Sequence, residues 1–252
     1  MKQHTIFTIY AFSVTLLTVW CSVFVIPNCA FAMNIVINKD FVEMNRSDGK
    51  ISSGTTTNCI VGNGLLKKEK RDLSFFNEIN INGTFDVNIG LQKKQSVEIL
   101  CDENLLSQIS TRVSDGGLHI NTIKSVCPKS GLTINIFLPN LESLNCSGAN
   151  SIVVENMNND HFFLKLDGAN DVRISGKTHQ FNIEILGVGD LHANRLQAET
   201  VTIESQGSSD AYVYASKRLQ VTLMGAGDIY YYGEPVQIDS RIEGVGDLIN
   251  GE

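Results

Sequence analysis

A motif of four residues recurs six times in the second half of the sequence. Its copies are Gly148-Ala-Asn-Ser, Gly168-Ala-Asn-Asp, Gly187-Val-Gly-Asp, Gly207-Ser-Ser-Asp, Gly225-Ala-Gly-Asp and Gly244-Val-Gly-Asp. Successive copies begin 18 to 20 residues apart. A fixed period near 20 residues indicates stacked repeats, in which each repeat buries its apolar face only against its neighbours.

Apolar residues stand two positions apart on each side of this motif. Leu164 and Leu166 precede one copy, and Val172 and Ile174 follow it. This alternation predicts two short strands per repeat, each with one buried face, joined by the motif as a corner. Glycine suits a corner because it reaches positive φ, and the small residue after it is expected to point inward. Aspartate suits the turn because its side chain accepts backbone N–H hydrogen bonds.

The sequence therefore predicts an all-β chain, specifically a single-stranded parallel β-helix, or solenoid, with coils of about 19 residues. The strands of successive coils should pair about 4.8 Å apart. Right-handed winding is expected because crossovers between parallel strands are almost always right-handed. Regular repeats are predicted over residues 141–252, and irregular first coils over residues 61–140. A short helix is expected near residues 102–110, starting at Asp102.

Residues 1–32 have the pattern of a cleaved signal peptide. An apolar run from Ile6 to Ile26 precedes Ala30-Phe31-Ala32, a small-x-small cleavage signal. Because the run is long enough to span a bilayer, an N-terminal anchor is the alternative. The polar residues 33–60 are expected to form a poorly ordered leader to one domain over residues 61–252. The chain is predicted to be exported: periplasmic, on the outer surface or secreted.

Charge and motif content exclude several classes of function. The chain has 20 Lys and Arg against 27 Asp and Glu, a net charge of −7 at pH 7. This balance argues against nucleic acid or an anionic membrane as the partner. The sequence has no nucleophile elbow, zinc-peptidase helix or P-loop. We therefore expect no enzymatic activity and no cofactor.

Four cysteines remain after the predicted cleavage: Cys59, Cys101, Cys127 and Cys146. An even number in an oxidising compartment allows disulfides. One disulfide is expected, favoured within the set of Cys101, Cys127 and Cys146, with the pairing left open. Cys101 and Cys146 also occupy strand positions in phase with core residues, where each could be a buried thiol.

A carboxylate ends five copies of the motif: Asp171, Asp190, Asp210, Asp228 and Asp247. Stacked about 5 Å apart, like charges are destabilising unless they are hydrogen-bonded or neutralised. Hydrogen bonds from backbone N–H groups are the favoured explanation. Bound calcium is the alternative, because the motif is similar to the Gly-Gly-x-Gly-x-Asp repeat of calcium-binding β-rolls. The nine-residue period of those repeats argues against calcium.

Four tyrosines are expected to project outward from two neighbouring repeats: Tyr212, Tyr214, Tyr230 and Tyr232. They should form two stacked pairs on one face. Exposed aromatic pairs on a rigid sheet suit the recognition of a saccharide or a protein. The alternative is that tyrosine stabilises the strand ladders.

Several features outside the repeats are also distinctive: Gly62-Asn-Gly64, Arg71, Phe76, Ile79 to Asp86, Asp102 to Leu106 and Leu132 to Leu144. Together with the Gly-Ala-Gly-Asp corners, they make the segment from Val61 to Glu252 resemble the putative auto-transporter adhesin head GIN domains of bacterial exported proteins. The resemblance implies a β-helical domain of unassigned function.

Two classes of function follow from these features. The first is a non-enzymatic binding or adhesion module for a saccharide or an envelope protein. The second is a structural module that forms homo-oligomers through the end of the solenoid, where the last coil leaves backbone N–H and C=O groups unpaired. A calcium-binding solenoid is a further alternative.

Overall fold

The structure, a computed structural model, describes residues 58–252. The predicted signal peptide and residues 33–57 of the predicted leader lie outside the described residues. Strands account for most of the described chain, and they are accompanied by a single short helix within residues 58–252. The all-β prediction is therefore confirmed. No helix in this part of the chain is both long and apolar enough to cross a membrane.

Two sheets contain all the strands of the described residues. The strands are β1 (Ile60–Val61), β2 (Leu66–Arg71), β3 (Glu78–Leu91), β4 (Ser96–Asp102), β5 (Ile109–Ser114), β6 (Gly117–Thr122), β7 (Val126–Cys127), β8 (Leu132–Leu138), β9 (Ser143–Ile185), β10 (Leu191–Ser205), β11 (Ala211–Leu223), β12 (Ile229–Tyr232), β13 (Gln237–Ile242) and β14 (Leu248–Asn250). Strands β1 and β7 form a small sheet, and the other twelve form the second sheet.

From β9 onward, successive repeats pair in parallel and in register. One column of paired residues runs through Val172, Leu191, Ala211, Ile229 and Leu248, at offsets of 18 to 20 residues. The first four of these side chains are buried, as the alternation predicted. The repeats before the last thus add their apolar residues to one continuous core.

The sheet is mixed before residue 140. Strand β4 pairs antiparallel with β2 and β8, and β5 pairs antiparallel with β6. An all-parallel arrangement is therefore wrong for this part. A local reason is visible at Asp115 and Gly116, whose φ angles are 54° and 80°. Two such residues between strands make a tight hairpin, which joins only antiparallel neighbours.

The helix expected near residues 102–110 is a 3-10 helix over Glu103–Gln108, with Leu105 and Leu106 buried. Asp102 precedes it, but its side chain makes no cap hydrogen bond. The buried carboxylate instead accepts hydrogen bonds from the backbone N–H groups of Gly64 (2.6 Å), Lys129 (2.8 Å) and Ser130 (3.2 Å). The Ser130 hydroxyl donates a fourth at 3.2 Å. Asp102 therefore ties two loops together.

Asp102 should make the stability of the fold depend on pH in the acid range. Burial opposes its ionisation, but the four hydrogen bonds prevail and hold the pKa of Asp102 below its usual value. The ionised carboxylate therefore stabilises the fold fully above about pH 4, the pKa of an aspartate in the unfolded chain. This stabilisation is lost as the pH falls through the lower pKa that Asp102 has in the folded chain. We expect Asp102→Asn to lower the Tm by several degrees at pH 7 and by less at pH 2.

Thermal melts across this pH range would check that expectation, with Asp115→Asn as the matched control. Asp115 is exposed on a hairpin, and its positive φ suits asparagine equally well. The control should melt like the parent chain at every pH. A Tm difference for Asp102→Asn that did not change with pH would contradict this role of its charge.

The corner residues depart from the prediction in their orientation. The small residue after each glycine points outward, and Val188 is 53% exposed where an inward position was expected. These residues form parallel bridges from one repeat to the next, Ala169 with Val188 and Val188 with Ser208. The next position faces inward instead: Asn170 and Ser209 are buried.

The last repeat differs from those before it. Ser240 and Ile242 precede their corner glycine as Leu164 and Leu166 precede theirs, which predicts inward positions, but every residue of β13 is exposed. Within residues 58–252, β13 pairs only with β11, and its apolar residues Ile238 and Ile242 remain 40% and 41% exposed. Both residues still occupy the inward-facing positions of the repeat, because they are in register with the buried Leu219 and Leu223. They are exposed because no further strand within residues 58–252 packs over them.

The disulfide joins Cys59 to Cys127, whose Cα atoms lie 5.7 Å apart. The favoured set of Cys101, Cys127 and Cys146 was therefore wrong, because Cys101 and Cys146 are buried free thiols. Burial raises the pKa of Cys101 to about 11, and it raises the pKa of Cys146 as well. Pairing of β1 with β7 explains the partner: it aligns Val61 with Cys127, and Cys59, two residues before Val61, is then close enough to form the bond.

Candidate functional site

Of the four predicted tyrosines, Tyr212 and Tyr230 form a stack with His192, so one of the two expected pairs is stacked. The ring centroids of Tyr212 and Tyr230 lie 4.7 Å apart, and the ring planes are inclined by 6°. The ring centroids of His192 and Tyr212 lie 5.0 Å apart, with an interplanar angle of 17°. Tyr214 is in register with Tyr232, and all four tyrosines are half-buried. Both faces of the Tyr212 ring are thus covered by other rings.

The stacked rings therefore offer edges and hydroxyl groups rather than open faces. Desolvation, followed by repulsion from the nearby Asp210 carboxylate, raises the pKa of Tyr212. Desolvation and the Asp228 carboxylate do the same for the pKa of Tyr230, whose hydroxyl donates a hydrogen bond to Asp228 Oδ2 at 3.4 Å. Both phenols stay protonated at neutral pH. The arrangement stabilises neighbouring strands, as cross-strand aromatic pairs do.

The recurring carboxylates lie at the corners, where Asp171 and Asp247 are exposed and the other three are half-buried. Two of them accept hydrogen bonds from the next repeat. Asp210 Oδ1 accepts from the Asp228 N–H at 2.8 Å, and Asp228 Oδ1 accepts from the Asp247 N–H at 2.9 Å. No cluster of three or more His, Cys, Asp or Glu side chains within residues 58–252 is arranged to hold a metal.

Chelation tests the two explanations of these carboxylates. If they accept backbone hydrogen bonds, EDTA should leave the Tm of the chain unchanged. Asp190→Asn and Asp228→Asn should then be mild, because the asparagine oxygen accepts a similar bond. Bound calcium predicts instead a fall of several degrees with EDTA, reversed by added calcium in a concentration-dependent way. Thermal melts with and without EDTA and calcium would decide.

A groove lined mainly by polar side chains lies on the outer face of four neighbouring strands. Two rows of outward side chains cross strands β5, β6, β3 and β9 in register. The first row is Arg112, His119, Asn80 and Asn145; the second is Ser110, Asn121, Asn82 and Ser147. Three strand spacings of about 4.8 Å make each row roughly 14 Å long. We call this set the polar groove.

Hydrogen bonds position the floor of the polar groove. Asn145 Nδ2 donates to Asn80 Oδ1 at 3.0 Å, and the Ser147 hydroxyl donates to the Ile81 carbonyl at 3.2 Å. Lys165 and Asp167 line its far end, and the volume is about 600 Å³. That volume lies in the usual range for small-molecule sites. The floor is therefore rigid, while polar groups on it remain accessible.

Charge is distributed unevenly along the polar groove. Lys165 Nζ lies 2.8 Å from Glu184 Oε2, and this hydrogen bond raises the pKa of Lys165. Arg112, at the opposite end, is exposed and forms no ion pair with any described residue. The free positive charge of the groove is therefore at the β5 end.

Sequence reasoning missed the polar groove. It placed a helical turn up to Ser110 and did not predict β5, so Arg112 had no assigned face. The signal was present in Asp115-Gly116, a dipeptide typical of two-residue hairpins. That hairpin places Arg112 directly opposite His119. The pairing of β3 with β6 and β9, however, has no comparable local signal.

Comparison with solved structures supports the fold. The chain is similar to a crystal structure of a putative adhesin from Bacteroides fragilis, with a TM-score of 0.66 and 22% identity over 76% of this chain and 99% of that one. It is also similar to a putative adhesin from Parabacteroides merdae, with a TM-score of 0.44 and 19% identity over 76% and 99% of the two chains. The first of these structures shows that the fold is shared. A comparison with curated proteins found no match.

A sequence profile gives the family. The profile described as "putative auto-transporter adhesin, head GIN domain" matches residues 75–235, well over half of the chain. The matched region contains β3 to β12, the polar groove and five copies of the corner motif. It confirms the resemblance noted in the sequence. The chain therefore belongs to the putative auto-transporter adhesin, head GIN domain family.

Proposed function

We propose that this chain is an exported, non-enzymatic binding domain of the adhesion type, and that the polar groove binds a saccharide. The observation that carries the proposal is the pair of polar rows, in register across four strands and fixed by hydrogen bonds at Asn80 and Ser147. Membership in an adhesin-type family supports binding over catalysis. The signal-peptide pattern of residues 1–32 supports export.

The proposed architecture is a right-handed, single-stranded β-helix with coils of about 19 residues over residues 141–252. In-register parallel pairing at offsets of 18 to 20 residues supports it. Right-handed winding is inferred from the general preference of parallel crossovers. Such a stack is rigid because each repeat is held by its neighbours along its whole length. A rigid scaffold suits a groove whose floor comes from several strands.

The tyrosines have a structural role in this proposal. Stacking covers both faces of Tyr212, so a sugar ring cannot pack on that ring without breaking the stack. Polar side chains with free donors and acceptors lie in the groove instead. A saccharide, whose hydroxyl groups both donate and accept hydrogen bonds, matches such a surface.

Blocking the groove tests the proposal. Asn82 is exposed in the second polar row, and Asn82→Trp would fill the groove whatever the charge of its ligand. We expect this variant to lose binding to a glycan array by about tenfold or more, a loss of roughly 1.4 kcal/mol. Gln206→Trp is the matched control, because Gln206 is exposed at the equivalent position of a later repeat outside the groove. Equal binding by both variants would show that the ligand lies elsewhere.

Self-association through the last repeat is a second candidate function. The observation in its favour is the exposure of Ile238 and Ile242 in phase with the buried Leu219 and Leu223. A second copy could cover these side chains and pair with the free edge of β13. Light scattering would then show a dimer that Ile242→Lys converts to a monomer. A chain that is already monomeric at high concentration would exclude this candidate.

A further inference from the structure

We propose that the ligand of the polar groove is an acidic oligosaccharide, with a sugar carboxylate against Arg112 and hydroxyl groups against the asparagine rows. This inference rests on the function proposed above, and it names the chemical class of the ligand. The inference depends on the charges and hydrogen-bonding groups of the groove.

The position of Arg112 indicates the charge of the ligand. Its guanidinium is exposed at the β5 end of the first row, and no described acidic side chain lies within ion-pair distance. His119 lies directly opposite it in the antiparallel pair. A guanidinium binds a carboxylate through two parallel hydrogen bonds, which fixes both position and orientation. Arg112 therefore provides an anchor for one carboxylate.

The asparagines indicate the remainder of the ligand. Asn80, Asn145, Asn82 and Asn121 lie between the two ends of the groove. Each side-chain amide both donates and accepts hydrogen bonds, as a sugar hydroxyl does. Asn145 Nδ2 donates to Asn80 Oδ1 and to Ser143 Oγ, which leaves the acceptor Asn145 Oδ1 and the donor Asn80 Nδ2 for a ligand. Rows roughly 14 Å long give an oligosaccharide more contacts than a single sugar would have.

Other polar ligands fit less well. Among the described residues that line the groove, His119 is the only aromatic ring, and no Phe, Tyr or Trp provides a larger platform for stacking a base or a neutral sugar ring. A nucleic acid needs many cationic contacts with its phosphates. Here Lys165 is already paired with Glu184, Asp167 lines the same end, and the chain has a net charge of −7. A sparsely charged, hydroxyl-rich ligand matches these groups best.

Calorimetric titration with two matched probes tests the ligand class. The probes are trigalacturonate and its fully methyl-esterified form, which differ only at the carboxyl groups, where the ester removes the charge and adds a methyl group. We expect the exported chain to bind the acid at least about tenfold more tightly than the ester. Arg112→Gln should reduce acid binding to the level of the ester, and Arg112→Lys should restore part of it, since lysine supplies charge without the bidentate geometry.

Arg241→Gln is the control for these variants. Arg241 is an exposed arginine of β13, in the last repeat, where it forms an ion pair with Glu243. Its replacement removes one positive charge at a position outside the polar groove. It should leave binding of the acid unchanged. Unchanged melting of Arg112→Gln would show that the exposed substitution leaves the fold intact.

The outcomes separate this inference from the proposed function. Equal affinity for acid and ester, with both lost in Asn82→Trp, would overturn the acidic class while the groove remained the site. Acid binding that Asn82→Trp leaves intact would overturn both. Failure to bind any carboxylate-bearing saccharide, with glucuronate-containing and sialylated oligosaccharides included, would also overturn the inference.

Discussion

Gly187→Ala is expected to destabilise the chain by about 3 kcal/mol or more, and so to lower its Tm by roughly 6–12 °C. The first glycine of each corner lies against the same glycine of the preceding repeat. A Cβ on Gly187 would overlap the carbonyl oxygen of Gly168, and one on Gly207 would overlap that of Gly187. These contacts are with backbone atoms, which cannot rotate away as a side chain can.

This explanation corrects the expected role of the corner glycines. Positive φ was the predicted reason for glycine, and it applies to Gly148 and Gly168, at 100° and 97°. Gly187 and Gly207 have φ outside the left-handed region, so φ cannot be the reason there. The close approach of neighbouring backbones excludes a side chain instead. The spacing between repeats therefore requires glycine at this position.

Gly131→Ala is the control that separates the two reasons. Gly131 has a φ of 82°, but a Cβ there would meet no atom within 4 Å. Alanine should cost only about 1 kcal/mol, the usual penalty for a left-handed residue. Denaturant unfolding of both variants would measure the two costs. A larger loss for Gly131→Ala than for Gly187→Ala would contradict the close-packing explanation.

Leu166→Ala is expected to cost about 2–5 kcal/mol, because it removes a buried side chain from the core and leaves a cavity. Leu166 is 4% exposed and lies just before a corner, with buried residues at the same position in the repeats on either side. A stacked core collapses poorly around a gap, since hydrogen bonds between strands keep the repeats at a fixed spacing. Urea or thermal unfolding would measure the loss.

Lys165→Ala, one residue earlier, is the paired control. Lys165 faces outward and forms a partly exposed ion pair with Glu184, a contact that contributes little to stability. Its replacement should change the Tm by no more than about 2 °C. Equal losses at Leu166 and Lys165 would show that the inward and outward assignments of this strand are wrong.

The repeat alone predicted much of residues 141–252. A period near 20 residues set which residues pair between repeats, and the alternation of Leu164 with Leu166 and of Val172 with Ile174 set which side chains are buried. The reason is that the same local pattern recurs, so its burial is reinforced in every copy. The orientation of Val188 was mistaken because a corner has no such alternation.

Only the tertiary structure determined the first half of the domain and the candidate site. Cys59 bonds to Cys127, 68 residues later in the sequence, because β1 pairs with β7. Arg112, Asn80 and Asn145 share one row because β3 pairs with both β6 and β9. These pairings depend on loop closure and on which edges remain free, and no local pattern in the sequence encodes them. The repeats were therefore predictable, whereas the polar groove was not.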